Sequence, residues 1–258
     1  MALPLLNLPL ELLLQILSNL SLKPLLRFAQ TSQHARSLAY SNLQALSLAI
    51  YPSHRNSRYN TLSTAQHKPE HDLHAAIQIP RAWDFDYTTL LTFHNKIIAS
   101  ILGRHECALQ KLELTLWTLS PPIAKAMTKL PALRELSIRI ESVRAVPRAY
   151  MILQRKEEYK AWAVLASARP WAHLVHTLRI ENAQVNASQL LGVIDGAARL
   201  RKLRLSSCEM LTSSVWDDAA KLGSLHHLSI ADCAHVHVNE TAVDAISKMH
   251  RLQVRPRS

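Results

Sequence analysis

The chain has 258 residues, of which 48% are hydrophobic and 19% charged, and its formal net charge is +11 at pH 7. This apolar content suffices for one large domain or two small ones, and the absence of any run of about 18 apolar residues argues against a membrane-spanning helix. Three cysteines argue against a disulfide framework. The chain has only 4 glycines and neither common glycine-rich motif, which argues against a phosphate-binding loop.

The first predicted element is a leucine-rich helix at residues 8–20. Pro9 suits its first turn, where the missing N–H leaves no hydrogen bond unmade. The polar residues in this stretch are Glu11, Gln15, Ser18 and Asn19. Apolar side chains therefore cover more than the stripe of about 100° that a surface helix needs, and we expect one face to pack internally and the other to bind a partner. The lack of a basic leader argues against a secretory signal and favours a cytoplasmic or nuclear location.

Two further short helices are predicted next. Pro24 opens the second, at 24–30, and the third starts at residues 31–33 and ends near Tyr40. Over residues 5–46 the sequence resembles the F-box. The matching residues are Leu8-Pro9, Glu11, Ile16-Leu17-Ser18, Leu25-Leu26-Arg27, Ser32, Arg36 and Leu38.

The resemblance implies a three-helix module, at residues 1–42, that binds a Skp-family adaptor and through it a cullin-RING ubiquitin ligase. The remainder of such a protein usually selects the substrate. On this interpretation, the adaptor-binding residues are Leu8, Pro9, Leu12, Leu13, Ile16, Leu17, Leu25 and Leu26.

A polar stretch at 52–72, rich in His, Ser, Asn and Arg, separates this module from the next strong pattern. Because it has no apolar period, we predict an exposed, flexible loop. From residue 88 to residue 104, leucine, isoleucine and phenylalanine recur at helical spacing, which predicts a helix.

A repeated template, L-x-x-L-x-L with Ile or Val allowed, follows this helix, and a first instance stands earlier, at 43–48. Its successive copies are 24, 42, 25 and 25 residues apart, and they begin at Leu109, Leu133, Val175, Leu200 and Leu225. Three of these intervals fall within the roughly 20–29 residues of a leucine-rich repeat, which alternates a short strand with a helix. The longest contains an insertion at 143–170, which is predicted to be helical around 149–168.

Each strand is followed by a predicted helix, and the candidate caps are Ser120, Asn186 or Ser188, Ser213 or Ser214, and Asn239. The runs LRKLRLSSC and LHHLSIADC end in Cys208 and Cys233. They resemble the cysteine-containing class of leucine-rich repeats, in which the cysteine side chain turns inward. The predicted fold class is α/β: an N-terminal three-helix F-box and then, at 43–258, a short leucine-rich-repeat solenoid with strands on the concave side and helices on the convex side.

The side chains between the template leucines are expected to point away from the core, because strand residues alternate between faces. Across the repeats they would form a cradle with a positive middle, suited to an acidic or phosphorylated segment. The predicted substrate-binding residues are Lys111, Arg139, Arg179, Lys202, Arg204 and His227. The alternative is that these are solvated strand faces without a ligand.

The histidine and cysteine patterns do not indicate a metal site or a catalytic site. The two candidate metal sets are His67, His71 and His74, and Cys233, His235 and His237. Neither has a second ligand cluster at zinc spacing. No G-x-S-x-G elbow occurs and no oriented Cys/His set can be argued. We therefore expect no metal, no cofactor and no catalytic residue, so the protein is not predicted to be an enzyme.

The sequence thus predicts a substrate-recognition subunit of a Skp–cullin–F-box-type E3 ubiquitin ligase, bridging the adaptor to a protein substrate. One alternative is a leucine-rich-repeat scaffold unlinked to ubiquitin, whose N-terminal helices are only a cap; the leucines at 10–17 argue against it, because a cap needs a polar outer face. The other is a basic nucleic-acid-binding protein, which is disfavoured because the Lys and Arg residues are spread along the chain. No membrane partner is expected.

Overall fold

A computed structural model describes residues 8–20, 22–52, 74–79, 81–141 and 148–252. The predicted loop at 52–72 lies outside the described residues except for Pro52, and so do residues 143–147 of the insertion.

Three short helices form an N-terminal module: α1 (Leu10–Ser18), α2 (Leu22–Ala29) and α3 (Gln33–Asn42). Ser32 caps α3, because its side chain accepts the Ala35 N–H at 3.0 Å. The module has a small core of its own, which contains Leu13, Leu17, Leu25, Ala29, Ala39 and Leu43. The three predicted helices are confirmed.

The described residues after this module contain one parallel sheet. Its strands are β1 (Ala45–Pro52), β2 (His74–Ile79), β3 (Lys111–Leu116), β4 (Glu135–Ile140), β5 (Thr177–Glu181), β6 (Lys202–Ser206) and β7 (His227–Ala231). Their spatial order is β2-β1-β3-β4-β5-β6-β7. The template positions predicted β1 and β3 to β7. They did not predict β2, which pairs with β1 at the far edge of the sheet.

Helices connect the strands and pack on the face that carries the template leucines. They are α4 (Tyr87–Arg104), α5 (Pro121–Met127), α6 (Met151–Ser167), α7 (Ala187–Ile194), α8 (Val215–Ala220) and α9 (Glu240–Ser247), with 3-10 turns at Ala82–Asp84 and Arg148–Tyr150. The predictions of a helix at 88–104 and of a helix within the insertion are confirmed by α4 and α6. No helix among the described residues is long and apolar enough to cross a membrane.

The predicted caps are confirmed for α7 and α9. Asn186 and Gln189 form a reciprocal capping box on α7, and Asn239 accepts the Ala242 N–H at 3.0 Å on α9. Ser120 and Ser214 precede α5 and α8 but make no side-chain cap bond. Ser120 is instead engaged by another partner, since its hydroxyl donates to the side-chain oxygen of Asn95 at 2.8 Å.

Lateral alignment of the repeat copies creates one continuous core. Leu112, Leu136, Leu178 and Leu203 are paired in register on neighbouring strands and are buried. Their counterpart on β7, Leu228, is half-buried because β7 lies at the end of the sheet. Stacking thus buries leucines that a single copy could not cover.

The same backbone turn recurs where β5, β6 and β7 end. Asn182, Ser207 and Asp232 have φ angles of 55°, 51° and 54°, in the left-handed region. The Asn182 N–H donates to Ser206 O and the Ser207 N–H donates to Ala231 O, both at 2.9 Å. This turn directs the chain away from the sheet after β5, β6 and β7.

Buried aromatic side chains connect helices to the sheet. Trp117 donates its indole N–H to Ile50 O at 2.6 Å and stacks on His94 of α4, with ring centroids 4.8 Å apart. Burial lowers the pKa of His94 to about 4, so this imidazole stays neutral at neutral pH. At the other end of α4, His105 meets Tyr40 of α3 edge-on at 4.7 Å, which joins the N-terminal module to the sheet.

Candidate functional site

The N-terminal module exposes large apolar side chains. On α1, Leu10 and Leu12 are each 51% exposed and Ile16 is 40% exposed, and on α2 Leu26 is 42% exposed. Pro9 is exposed as well, and Leu8 is half-buried. We call Pro9, Leu10, Leu12, Ile16 and Leu26 the apolar module surface. Leu12 and Ile16 lie one helical turn apart, so they present neighbouring side chains to the solvent.

Three of the predicted adaptor-binding residues lie elsewhere. Leu13, Leu17 and Leu25 are only 2%, 1% and 4% exposed, because they form the core of the module. The prediction that these three residues contact the adaptor directly is corrected, because they lie beneath the surface and support it. Leu10 belongs to the same apolar run and is exposed, although it is not among the predicted contact residues.

The second candidate surface is the polar face of the sheet. Residues that pair laterally on β3 to β7 form three rows, and the first contains Lys111, Glu135, Thr177, Lys202 and His227. The second contains Glu113, Ser137, Arg179, Arg204 and Ser229, and the third Thr115, Arg139, Glu181, Ser206 and Ala231. Neighbouring strands lie about 4.8 Å apart, so each row brings five residues on adjacent strands close together.

Ion pairs neutralise part of the predicted positive middle. Lys111 lies 3.1 Å from Glu135, Arg179 lies 2.6 Å from Glu181, and Arg139 lies 3.4 Å from Glu141. The alternating strand pattern predicts that these three cations are ligand-binding groups. The structure brings them beside carboxylates, so they contribute less net charge to the face than predicted.

The excess positive charge of this face lies on β6. Lys202 and Arg204 are exposed, and neither forms an ion pair within the described residues. His227 follows Lys202 in the first row, on β7. A depression of about 300 Å³ opens between β3 and β6, with Lys111, Glu135, Arg179, Lys202 and Arg204 at its walls. The face therefore has acidic and basic parts side by side.

The two repeat cysteines lie inside the protein. Cys208 is fully buried and Cys233 is 9% exposed, so the predicted inward orientation is confirmed. A hydrogen bond with Cys233 and then burial raise the pKa of the Cys208 thiol, which keeps it protonated and unreactive. Among the described residues, no group of three or more His, Cys, Asp or Glu side chains could hold a metal ion. His67 and His71 lie outside those residues.

Comparison with known families matches the F-box domain to residues 5–43, a range that contains α1, α2 and α3 and ends before β1. F-box domains generally act as adaptors in Skp–cullin–F-box ubiquitin ligases and bind Skp-family proteins. No curated protein matches the chain. The N-terminal module with its exposed leucines is therefore an F-box domain.

Proposed function

We propose that this protein is the substrate-recognition subunit of a Skp–cullin–F-box ubiquitin ligase. The observation that carries the proposal is the F-box domain at residues 5–43, which leaves the apolar module surface uncovered. On it, Leu12 and Ile16 expose neighbouring large apolar side chains one helical turn apart, as a surface that a partner covers does. The partner of this surface is a Skp-family adaptor, and a cullin joins through that adaptor.

The sheet and its helices constitute the substrate-binding part, built as a short arc of cysteine-containing leucine-rich repeats. Three features support this: the recurrence of strands at about 25 residues, the left-handed turn at Asn182, Ser207 and Asp232, and the inward Cys208 and Cys233. The open polar face is the surface that meets the substrate.

The substrate segment is acidic or phosphorylated. Lys202 and Arg204 attract such a segment, and Arg204 can bind a phosphate or carboxylate through two parallel N–H bonds. The carboxylates at Glu113 and Glu135, which line the same depression three and two strands away, favour a substrate whose charge alternates. Mixed charge of this kind contributes to specificity more than to affinity.

The mechanism is proximity, and the protein supplies no catalytic group. Holding the adaptor at one end and the substrate on the sheet raises the effective concentration of the target near the ubiquitin-loaded enzyme.

The proposal is tested by co-expression with a Skp-family adaptor and affinity purification at moderate salt. The test variant is Leu12→Ala/Ile16→Ala, and the matched control is Ile152→Ala/Val243→Ala, which truncates two exposed apolar residues far from the module. Truncating a central interface leucine or isoleucine costs on the order of 1–3 kcal/mol, so the test variant is expected to lose the adaptor. The control is expected to retain it.

A wild-type protein that stays folded and monomeric without retaining any adaptor contradicts the proposal and favours a plain repeat scaffold. Equal retention by the test variant and the control contradicts the assignment of the surface. Adaptor binding through leucines should also change little with ionic strength, whereas binding to nucleic acid weakens steeply with added salt.

A further inference from the structure

A second row of side chains runs along the edge where the strands begin. Arg134, His176, Arg201 and His226 each immediately precede a strand, from β4 to β7. The Arg134 carbonyl accepts the N–H groups of His176 and Thr177 at 2.9 and 3.3 Å, and the Arg201 carbonyl accepts those of His226 and His227 at 2.8 and 2.9 Å. This ladder fixes four basic residues on adjacent strands.

These residues surround a cavity of about 450 Å³, which we call the basic pocket. Its charged and imidazole side chains are Arg134, Arg199, Arg201, Arg251, His176 and His226, and Leu174 and Ser224 complete the wall. No carboxylate is among these lining residues. His226 is held in place by its Nδ1 atom, which lies 2.6 Å from Ser224 O.

The four arginines of the basic pocket differ from the cations on the polar face of the sheet. All four are exposed, and none has an ion-pair partner within the described residues. Arg139 and Arg179, on the polar face, are each paired with a glutamate. Like charges gathered around one cavity repel each other, and an anionic ligand would relieve that repulsion. The pocket therefore has the composition of an anion-binding site.

The number and type of cations indicate which anion fits. Arginine binds phosphate through two parallel N–H bonds, and a phosphate monoester carries a charge of about −1.5 to −2 at pH 7. Two phosphate groups therefore match four guanidinium groups, whereas two carboxylates would leave about half of the positive charge uncompensated. The cavity is also larger than a single phosphate needs.

We propose that the basic pocket binds a ligand with at least two phosphate groups. The shared chemistry is the phosphate cluster, which a soluble polyphosphate or a doubly phosphorylated peptide can supply. The site lies at the start of β4 to β7 and not on the F-box domain. Ligand binding at this pocket is therefore tested independently of adaptor binding.

Isothermal titration with sodium tripolyphosphate tests the proposal directly. The test variant is Arg134→Gln/Arg201→Gln, and the matched control is Arg27→Gln/Arg36→Gln, which removes the same charge from exposed sites on the F-box domain. We expect the wild type and the control to bind alike, and the test variant to bind about tenfold more weakly or worse, because two bidentate contacts are lost. Equal binding by both variants overturns the proposal. Circular dichroism spectra of the variants establish that each is folded.

Two further binding experiments identify the source of the phosphates. A peptide with two phosphoserines that displaces tripolyphosphate assigns the site to a protein ligand, and a peptide that fails to displace it assigns the site to a free polyphosphate; both outcomes support a phosphate site. A single-stranded DNA oligonucleotide that binds more tightly than tripolyphosphate, with the same loss in the test variant, overturns the small-ligand proposal in favour of nucleic acid.

Discussion

At the scale of single residues, Glu158 is the most unusual side chain in the core. It lies on α6, fully buried, and its carboxylate accepts the Gln184 N–H at 2.6 Å, the Trp162 indole N–H at 3.3 Å and the Gln154 amide at 2.8 Å. Burial raises its pKa above the usual value of 4.5, against the opposing effect of these three donors. One carboxylate thus ties α6 to the segment that follows β5.

We predict that Glu158→Ala is strongly destabilising, because it leaves three buried donors without an acceptor. A loss of about 2–3 kcal/mol in the free energy of unfolding is expected. Glu158→Gln keeps one acceptor oxygen and should lose less. Urea denaturation of the wild type and both variants measures the difference, and equal stability of Glu158→Ala and the wild type would contradict this role.

The same experiment has a pH dependence whose sign follows from the raised pKa. Between the unfolded and the folded pKa, the native state binds more protons than the unfolded state, so the stability of the wild type falls as the pH rises through the folded pKa. The Glu158→Gln variant has no such proton to lose. Its stability relative to the wild type should therefore improve as the pH rises above 4.5, the usual pKa of a glutamate carboxyl.

Sequence alone could not separate the two kinds of leucine on α1. Leu12 and Leu13 are chemically identical neighbours, yet one is half exposed and the other is part of the core. Because apolar residues surround this helix, its own periodicity does not reveal which side faces α2 and α3. That choice depends on tertiary packing, which is why three predicted contact residues proved to be internal.

At the scale of secondary-structure elements, α7 packs unusually closely against the insertion helix α6. A Cβ atom at Gly192 would lie 2.6 Å from the Cβ atom of Ala166, closer than real side chains approach. Glycine therefore permits this helix contact, and the insertion is an integral layer of the protein.

We predict that Gly192→Ala separates α6 from α7 and costs about 1–3 kcal/mol, as overpacking of a tight core does. The matched control is Gly103→Ala on α4, where a Cβ atom would meet nothing within 4 Å. The control should stabilise the protein by about 0.5–1 kcal/mol, because alanine favours helix. Thermal denaturation of both variants measures the contrast, and a stabilised Gly192→Ala variant would show that the helices can move apart without cost.

The strands were predictable wherever a local template determined them. Copies of L-x-x-L-x-L marked β3 to β7 because each strand must present leucines to one shared core. The strand β2 has no such signature: its large apolar side chains are Ile77 and Ile79, and it is defined by pairing with β1 across residues 53–73. Pairing between distant segments leaves little trace in local sequence.

At the scale of the whole molecule, the proposed binding surfaces depend on how the strands align. The spacing of 25 residues from Arg201 to His226 and from His226 to Arg251 was visible in the sequence. Arg134 joins them only through the stacking of the strands, across an insertion that changes the spacing. The basic pocket was therefore not predicted, whereas the cradle on the polar face was, because it follows from the template alone.

The two proposed protein-binding surfaces lie on different parts of the molecule, so we predict that they can be disabled separately. The variant Lys202→Glu/Arg204→Glu reverses the unpaired charges of the polar face and leaves the apolar module surface intact. It should retain the Skp-family adaptor and lose ubiquitin transfer to an acidic or phosphorylated substrate, because like charges then face each other. Leu12→Ala/Ile16→Ala should retain the substrate and lose the adaptor.

Quantitative mass spectrometry of co-purified proteins, followed by ubiquitin transfer with reconstituted ligase, measures both losses. The matched control is Lys125→Glu/Lys129→Glu, which makes the same charge reversal at exposed positions on and just after α5. Retention of every substrate by Lys202→Glu/Arg204→Glu would contradict the polar face as the recognition surface. If that variant lost the adaptor instead, the two surfaces would not be independent.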